Sequence, residues 1–319
     1  MNITKKTKSW MLGCLSSAFA VLLAPGAMAA VQADVAYGWT PNQATRYGGY
    51  NALASRISTH NAISNTVHSN SGTDVYWRIA GYYQISTDNT NGSGWWLDSL
   101  ANGSDCAGFR SYASGRGADL LFLCCPYVDN AGLAYQPGNH GTSGRDSVQW
   151  EIFSHEIGHN YGASHEAGMC AGTQGGTIMA ACNGANIPYY SNPNLSVGGV
   201  TIGDSTHNNT STVYNNRSTR ASQASAISAV TFYQDVNYGG AMGAMLTQGY
   251  YNMADLAAVG IPNDWASSCT IPSGWTVTIY QDINFTGTTW NLYPDANGGQ
   301  AYFTGYSGLN DAMTSVWIH

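Results

Sequence analysis

The chain has 319 residues, enough for about two domains. Only 9% are charged against 44% hydrophobic, with 38 Gly and 21 Tyr, which excludes a disordered chain and fits a loop-rich, β-rich extracellular protein. All three lysines lie in the first eight residues; beyond them 8 Arg face 18 Asp and Glu, a net of −10, which excludes nucleic acid or an anionic membrane surface as partner.

The N-terminus carries Lys5, Lys6 and Lys8, an apolar run from Trp10 to Leu23, then Pro25, Gly26 and the small stretch Ala27–Ala30. This pattern predicts a secretory signal peptide over 1–30, cut after Ala29 or Ala30, and so a secreted, extracellular protein with no membrane anchor after cleavage. The apolar run is short of the ~20 residues a spanning helix needs. Too little apolar sequence precedes Cys14 for a lipoprotein.

Six cysteines remain: Cys106, Cys124, Cys125, Cys170, Cys182 and Cys269. An even count in an exported chain predicts disulfides, with fifteen possible connectivities. Cys124 and Cys125 are adjacent and do not suit each other; Cys170–Cys182 closes a short loop. Cys269 alone lies beyond residue 222, so full pairing puts one bridge between the halves, and otherwise Cys269 and one other stay reduced.

Apolar residues at roughly helical spacing predict a helix over Ala44–His68, and an aromatic, β-branched run predicts a strand over Asp74–Ser86. Ala118–Cys124 reads as a short buried strand. The sharpest pattern follows: His155-Glu156-Ile157-Gly158-His159-Asn160-Tyr161-Gly162-Ala163-Ser164-His165. Histidines at i and i+4 share one helix face, where two neutral imidazoles can hold one Zn²⁺. Gly162 can take φ > 0 and end the helix, and the returning chain brings His165 as third ligand. Three protein ligands leave one position for water, as in catalytic zinc sites. Glu156, beside the first ligand, is placed to take a proton from the activated water. Asp146 or Ser147 is the expected helix cap, with Gln149 completing a capping box. Trp150, Phe153, Ile157 and Tyr161 recur at helical spacing and read as core.

These residues resemble the metzincin zinc endopeptidases, whose motif is HExxHxxGxxH followed by a Met-turn. Thr177-Ile178-Met179-Ala180 is the Met-turn match, and the resemblance implies that Met179 is an apolar floor under the ligands. Asp34–Pro41, Gly117–Cys124, Gly132–Tyr135 (as edge strand) and Pro188–Pro193 are similar to segments of the bacterial reprolysin-like branch, over about residues 34–222. The chain departs from the family in two places. Glu166 follows the third His where reprolysins carry Asp, and Ala181 stands where astacins carry a zinc-reaching Tyr. The resemblance implies peptide-bond hydrolysis of protein or peptide substrates, with Glu156 as general base and then acid. No propeptide of useful length separates Ala30 from the first strand.

Ser205–Ser228 is rich in Ser, Thr and Asn with weak patterning, and a boundary is expected near 222–229. Beyond it the chain repeats. Tyr233-Gln234-Asp235-Val236-Asn237-Tyr238 recurs as Tyr280-Gln281-Asp282-Ile283-Asn284-Phe285, and Asn263-Asp264-Trp265-Ala266-Ser267-Ser268 as Asn310-Asp311-Ala312-Met313-Thr314-Ser315. One shared offset argues for a duplicated unit, each copy read as a four-stranded antiparallel motif. The repeated Asn-Asp-x-x-Ser/Thr-Ser gathers hard oxygen donors that suit Ca²⁺; a polar turn held by its own hydrogen bonds is the plainer alternative.

About residues 230–319 resemble a microbial βγ-crystallin domain, and Tyr233 with Gly240 and Tyr280 with Gly287 fit that family's hairpin spacing. The resemblance implies Ca²⁺ ligands at Asp264, Ser267, Asp311 and Thr314 through side chains, and at Trp265 and Ala312 through carbonyls. Carbonyls near Gln234 and Gln281 complete the shells.

The expected fold is therefore multidomain. A signal peptide (1–30) precedes a mixed α/β metzincin catalytic domain (31–222) with a twisted, mostly parallel sheet and an active-site helix. A linker (223–229) leads to an all-β double Greek-key βγ-crystallin domain (230–319). The expected function is a secreted zinc-dependent endopeptidase, acting as a monomer, whose calcium module serves stability, targeting or autoinhibition. Rival readings are a calcium-stabilised binding or adhesion protein with a silent zinc site, and a toxin that cuts one host protein. His60, His68, His140, His207 and His319 have no ligand spacing and are expected at the surface or in hydrogen bonds.

Overall fold

The computed structural model describes residues 30–319, except 183–184, 226–227, 237, 239, 273, 295–298 and 301. The signal peptide expected over 1–30, Cys14 included, lies outside the described residues apart from Ala30.

The first half is built on strands β1 (Val31–Trp39), β2 (Val75–Gln84), β3 (Leu120–Cys124), β4 (Gly132–Ala134) and β5 (His140–Ser143). They lie in the order β2-β1-β3-β5-β4; all run parallel except β4, which is antiparallel to β5 at one edge. Helices α1 (Pro41–Arg46), α2 (Tyr50–Ser71), α3 (Ser93–Asn102), α4 (Ala107–Gly115) and α5 (Trp150–Asn160) cover the sheet. Side chains alternate across a strand, and the two cores follow that alternation. Val35, Tyr37, Trp39, Leu120 and Phe122 pack with Leu53, Ile57, Phe153 and Ile157 of α2 and α5. Ala36, Leu121 and Leu123 pack with Trp96, Leu100, Phe109 and Ala113 of α3 and α4. Burial on both faces is why these strands read as continuous apolar runs.

Local chemistry moves three expected boundaries. The helix expected over Ala44–His68 is two helices, because Gly48 and Gly49 take φ of +91° and +104° and break it. Thr40 caps α1 by accepting from Gln43 N, with Pro41 in the first turn. At α5 the expected cap is wrong: Gln149 occupies the N-cap without a side-chain bond. Asp146 is drawn instead into ion pairs with Arg46 and Arg145. After the short hairpin β6 (Asn192–Val197) and β7 (Val200–Ile202), the weakly patterned segment holds helix α6 (Asn209–Arg220). It is capped by the Asn208 side chain accepting from Ser211 N, ends on Arg217 and Arg220, and buries Val213.

The second half contains β8 (Thr231–Tyr233), β9 (Gly249–Tyr251), α7 (Met253–Ala258), β10 (Ser268–Thr270), β11 (Val277–Asp282), β12 (Thr286–Leu292), β13 (Gly299–Gln300) and β14 (Ser315–Ile318). Two antiparallel sheets, β13-β10-β8 and β12-β11-β14-β9, enclose a second core of Val230, Phe232, Cys269, Ile279, Trp290 and Val316 among others. Each copy supplies four antiparallel segments, as expected, but the two copies exchange strands. β9 of the first copy joins the sheet of the second, and β13 of the second joins the sheet of the first. The second strand of the first copy pairs with β8 through the bridges Val230–Leu246 and Tyr233–Met242 and the Gly243 N to Phe232 O bond. Exchanging strands makes the two copies one folding unit.

The halves meet at β2, the sheet edge opposite β4. Tyr233, Tyr238 and Met242 join the first core, and Tyr82 lies 6.4 Å from Tyr233 between ring centroids. Asp119 accepts from Ala224 N at 3.1 Å and from Asp34 N at 2.9 Å, while Arg78 pairs bidentately with Asp34 at 2.7 Å. Covering β2 removes an exposed strand edge. Four strand spacings, about 19 Å, then separate the second half from the β4 edge.

The described disulfide is Cys170–Cys182, with a Cα–Cα distance of 5.8 Å. Full pairing does not occur: Cys106, Cys124, Cys125 and Cys269 are buried thiols, and no described disulfide joins the halves. Cys269 packs in the second core, away from the first-half thiols.

Candidate active site

The three motif histidines converge. His155 and His159 project from one face of α5, and Gly162, at φ +92°, turns the chain so that His165 comes back beneath them. His165 Nε2 lies 2.9 Å from His155 Nε2 and 3.1 Å from His159 Nε2. Among the described residues this is the one cluster of three or more His, Cys, Asp or Glu whose ligand atoms could share a metal ion.

Hydrogen bonds fix the tautomers. His155 Nδ1–H donates to Ile178 O and His159 Nδ1–H to Ala163 O, each at 2.8 Å. Both Nε2 atoms therefore carry lone pairs. Burial, helped against by the Ile178 bond, pushes His155 down to about 4, and burial also lowers His159, so both stay neutral. Two of the three nitrogens that face one another thus carry lone pairs. A cation resolves this arrangement: tetrahedral Zn²⁺ with bonds of ~2.0–2.1 Å sets nitrogens ~3.3 Å apart, close to the separations seen. The donor set, three imidazoles of which two are oriented by outer hydrogen bonds, fits zinc.

Glu156 makes no ligand contact with the triad's nitrogens. It is buried in the cleft wall, and that burial alone raises its carboxyl to about 8. A bound cation would draw it back down. Directly above it is Gly132: a Cβ there would stand 2.5 Å from Glu156 Oε1. The strand can approach the carboxylate only because residue 132 has no side chain.

The cleft has a volume of about 360 Å³ and is lined by residues between Asn130 and Glu166. Its wall is β4. Tyr135 N bonds to His140 O and Gly144 N to Ala131 O. The antiparallel alternation then has Leu133 bonding Thr142, while the backbone groups of Gly132 and Ala134 turn outward along the edge. Among the described residues the lining comes from the first half alone.

Met179 is fully buried under α5, its Sδ 3.0 Å from where a Cβ of Gly158 would stand, and Tyr190 Oη bonds Ser154 O at 2.6 Å beside it. The floor expected of Met179 is thus shared with Tyr190, and the same turn supplies the Ile178 carbonyl that orients His155. Sequence reasoning missed Gly132, Gly158, Tyr190 and the two orienting carbonyls. Only Gly158 left a trace, as a helix-interior glycine that costs about 1 kcal/mol against Ala unless packing requires it. Glu166 lies at the cleft mouth, exposed.

The expected calcium residues form two matching loops. Asp264 and Asp311 both take φ +52°, and each accepts from the preceding Asn, Asn263 Nδ2 at 2.7 Å and Asn310 Nδ2 at 2.8 Å. Ser267 Oγ donates to Asp311 Oδ1 at 3.3 Å, so the copies' loops touch. Asp264 N bonds Met313 O at 3.3 Å, a second link between them. Ser267 and Thr314 are buried, while Trp265 and Ala312 pack against the core. Each loop brings one carboxylate of its own Asn-Asp motif.

Of the other histidines, His68 is fully buried against Trp77 and Tyr190, with Nδ1 on Thr73 Oγ1 at 2.8 Å. Burial takes His60 and His140 down to about 4. His207 pairs with Asp204, and His319 stacks on Trp317.

Fold and site define a metallopeptidase domain, and comparison with known proteins agrees. Residues 34–191 match the model of metallo-peptidase family M12. A peptidyl-Asp metalloendopeptidase of Stenotrophomonas maltophilia (strain R551-3) is 27% identical over 185 residues, 49% of this chain and 44% of that protein. The chain thus spans under half the length of this curated relative. Among solved structures, a chaperone–substrate complex is similar over 62% of this chain and 36% of that one, at 19% identity and a TM-score of 0.55, a likeness of fold. A βγ-crystallin domain from Clostridium beijerinckii is 46% identical over 28% of this chain and 97% of its own, at a TM-score of 0.26. The metallopeptidase match thus lies in the first half, around the His triad.

Proposed function

We propose that the protein is a secreted zinc-dependent endopeptidase of the metzincin type. The observation that carries this is the convergence of three His Nε2 atoms, two of the rings held by Nδ1–H bonds to backbone carbonyls, next to a buried Glu156. His155, His159 and His165 hold the metal. Zinc there would supply a Lewis acid for the scissile carbonyl and an acidified water. Glu156 would accept the proton of such a water and return it to the departing amine, a double duty that suits a carboxylate kept out of bulk solvent. The outward edge of β4 pairs with an extended peptide by strand addition, which favours protein or peptide substrates. Among the residues lining the cleft none is Lys or Arg, so the Asp preference in the relative's name is not carried over.

The N-terminal pattern and the Cys170–Cys182 bridge favour export to an oxidising compartment. Among the described residues no helix is long and apolar enough to cross a membrane. The second half acts as a βγ-crystallin-like module whose paired loops bind Ca²⁺ through Asp264, Ser267, Asp311 and Thr314 with carbonyls of Trp265 and Ala312. Seated on β2, it stabilises the catalytic half from behind, with surface targeting as the alternative role. The working unit is a monomer.

The test is casein hydrolysis by the purified mature chain beside Glu156→Ala. Hydrolysis lost in the variant supports the reading. No hydrolysis by the zinc-loaded wild type on casein or a mixed peptide library favours the binding-protein rival.

A further inference from the structure

One buried amide ties the cleft wall to the helix that carries the His pair. Asn160 follows His159 directly and is fully buried. Its Nδ2 donates to Tyr135 O and His140 O, both at 2.9 Å, and its own carbonyl accepts from Gly138 N at 3.1 Å. These bonds grip both ends and the tip of the loop joining β4 to β5. Two carbonyl partners dictate which end of the amide faces them, since only the nitrogen donates. Oδ1 is left buried with no partner. A residue that merely filled this space would not strand a buried acceptor.

Two further bonds reinforce the grip. Gln136 Nε2 donates to Ala163 O at 2.9 Å, the carbonyl that also takes the His159 Nδ1 proton. Arg220 Nη1 reaches Gly138 O at 2.7 Å from the end of α6. Strand β4 itself is only three residues long and has a neighbour on one side alone, so the sheet by itself holds it weakly.

We propose that Asn160 is a positioning residue for substrate. By holding Tyr135 and His140 it fixes the outward backbone of Gly132 and Ala134 in register with the His triad and Glu156, so that a peptide paired with β4 arrives in line for attack. This rests on the endopeptidase reading above.

The experiment compares Asn160→Ala, Asn160→Asp and Gln136→Leu in the full chain, on one long peptide spanning the cleft and one blocked dipeptide. Zinc content and hydrogen exchange over residues 132–142 are measured on the same samples. Loss of the buried donor is expected to cut kcat/KM for the long peptide about ten- to hundredfold, through KM, with the dipeptide and zinc content unchanged. Asn160→Asp keeps the shape without the donors and behaves like Asn160→Ala. Gln136→Leu, at an exposed position, gives a smaller loss of the same kind. Exchange over 132–142 rises in all three. Wild-type behaviour of Asn160→Asp, an equal loss on both substrates, or unchanged exchange in Asn160→Ala would overturn the proposal. Wild type that cleaves neither peptide sinks the endopeptidase reading instead, and the exchange data then decide whether Asn160 holds β4.

Discussion

The two halves prepare their candidate metal sites in opposite ways. In the first, the ligands are two imidazoles on a helix, oriented by backbone carbonyls, and a third on the returning chain, and the neighbouring carboxylate is buried. In the second, the carboxylates of Asp264 and Asp311 are exposed on left-handed loop residues, each steadied by an Asn amide and Asp311 also by Ser267 Oγ. The first arrangement holds its geometry through the packed core whether or not an ion is present. The second, on the calcium reading proposed above, would rely on the ion to tie its exposed carboxylates together. Losing metal from the first half should therefore cost chemistry, and losing it from the second should cost stability.

The largest effect tests the first side of that contrast. Glu156→Gln keeps the side chain's shape and removes the base, so kcat should fall about 10²–10⁴-fold with zinc stoichiometry unchanged. Chelation should abolish hydrolysis and zinc alone should restore it. Metal analysis and progress curves on one sample check both. A next step down is Gly132→Ala, whose Cβ would press on Glu156 Oε1. A displacement of about 1 Å at the base should cost about ten- to hundredfold in kcat, read from progress curves with zinc content unchanged.

The second side predicts the reverse pattern. Calcium at a hundred times its dissociation constant should add ~2.7 kcal/mol to the second half. Asp311→Ala should erase most of that gain and leave hydrolysis at 25 °C intact, because the loops lie behind the β2 edge and not at the cleft. Thermal scans of wild type and variant, with and without calcium, separate the outcomes. A calcium effect on kcat at low temperature would break the comparison.

What was readable beforehand follows the same division. The triad could be read because all of its ligands fall within eleven consecutive residues, where helix periodicity and one glycine decide the geometry. The duplication could be read because two matches share one offset. The partners that finish the site could not: Gly132 and Ile178 reach Glu156 and His155 through tertiary folding, and a backbone carbonyl has no signature in its residue type. The helix break at Gly48–Gly49 was available in principle, yet the apolar spacing across it argued for continuity. Helix α6 was hidden because its stability comes from the Asn208 cap, its terminal arginines and one buried Val213, not from a full apolar stripe. The exchange of β9 and β13 was likewise out of reach, since repetition in sequence says nothing about which copy a strand pairs with.

The smallest effect concerns a group that serves neither metal site. His68 is buried under Trp77, Tyr161 and Tyr190, its Nε2 has no partner, and burial lowers its pKa from 6.5 to about 3. Its folded-state value is depressed, so below pH 6.5 the unfolded chain binds a proton that the folded chain refuses. The stability His68 permits is thus complete above pH 6.5 and is lost as pH falls toward 3, at up to ~1.4 kcal/mol per pH unit. His68→Phe keeps a ring against Trp77 and removes the titration. Urea unfolding between pH 7 and pH 4 should then show a shallower acid slope for the variant, by about one proton's worth. His60 and His140, also lowered by burial, leave a residual slope in the same direction. Equal slopes for variant and wild type would mean that His68 takes up its proton without unfolding, and that this core opens to water more readily than either metal site requires.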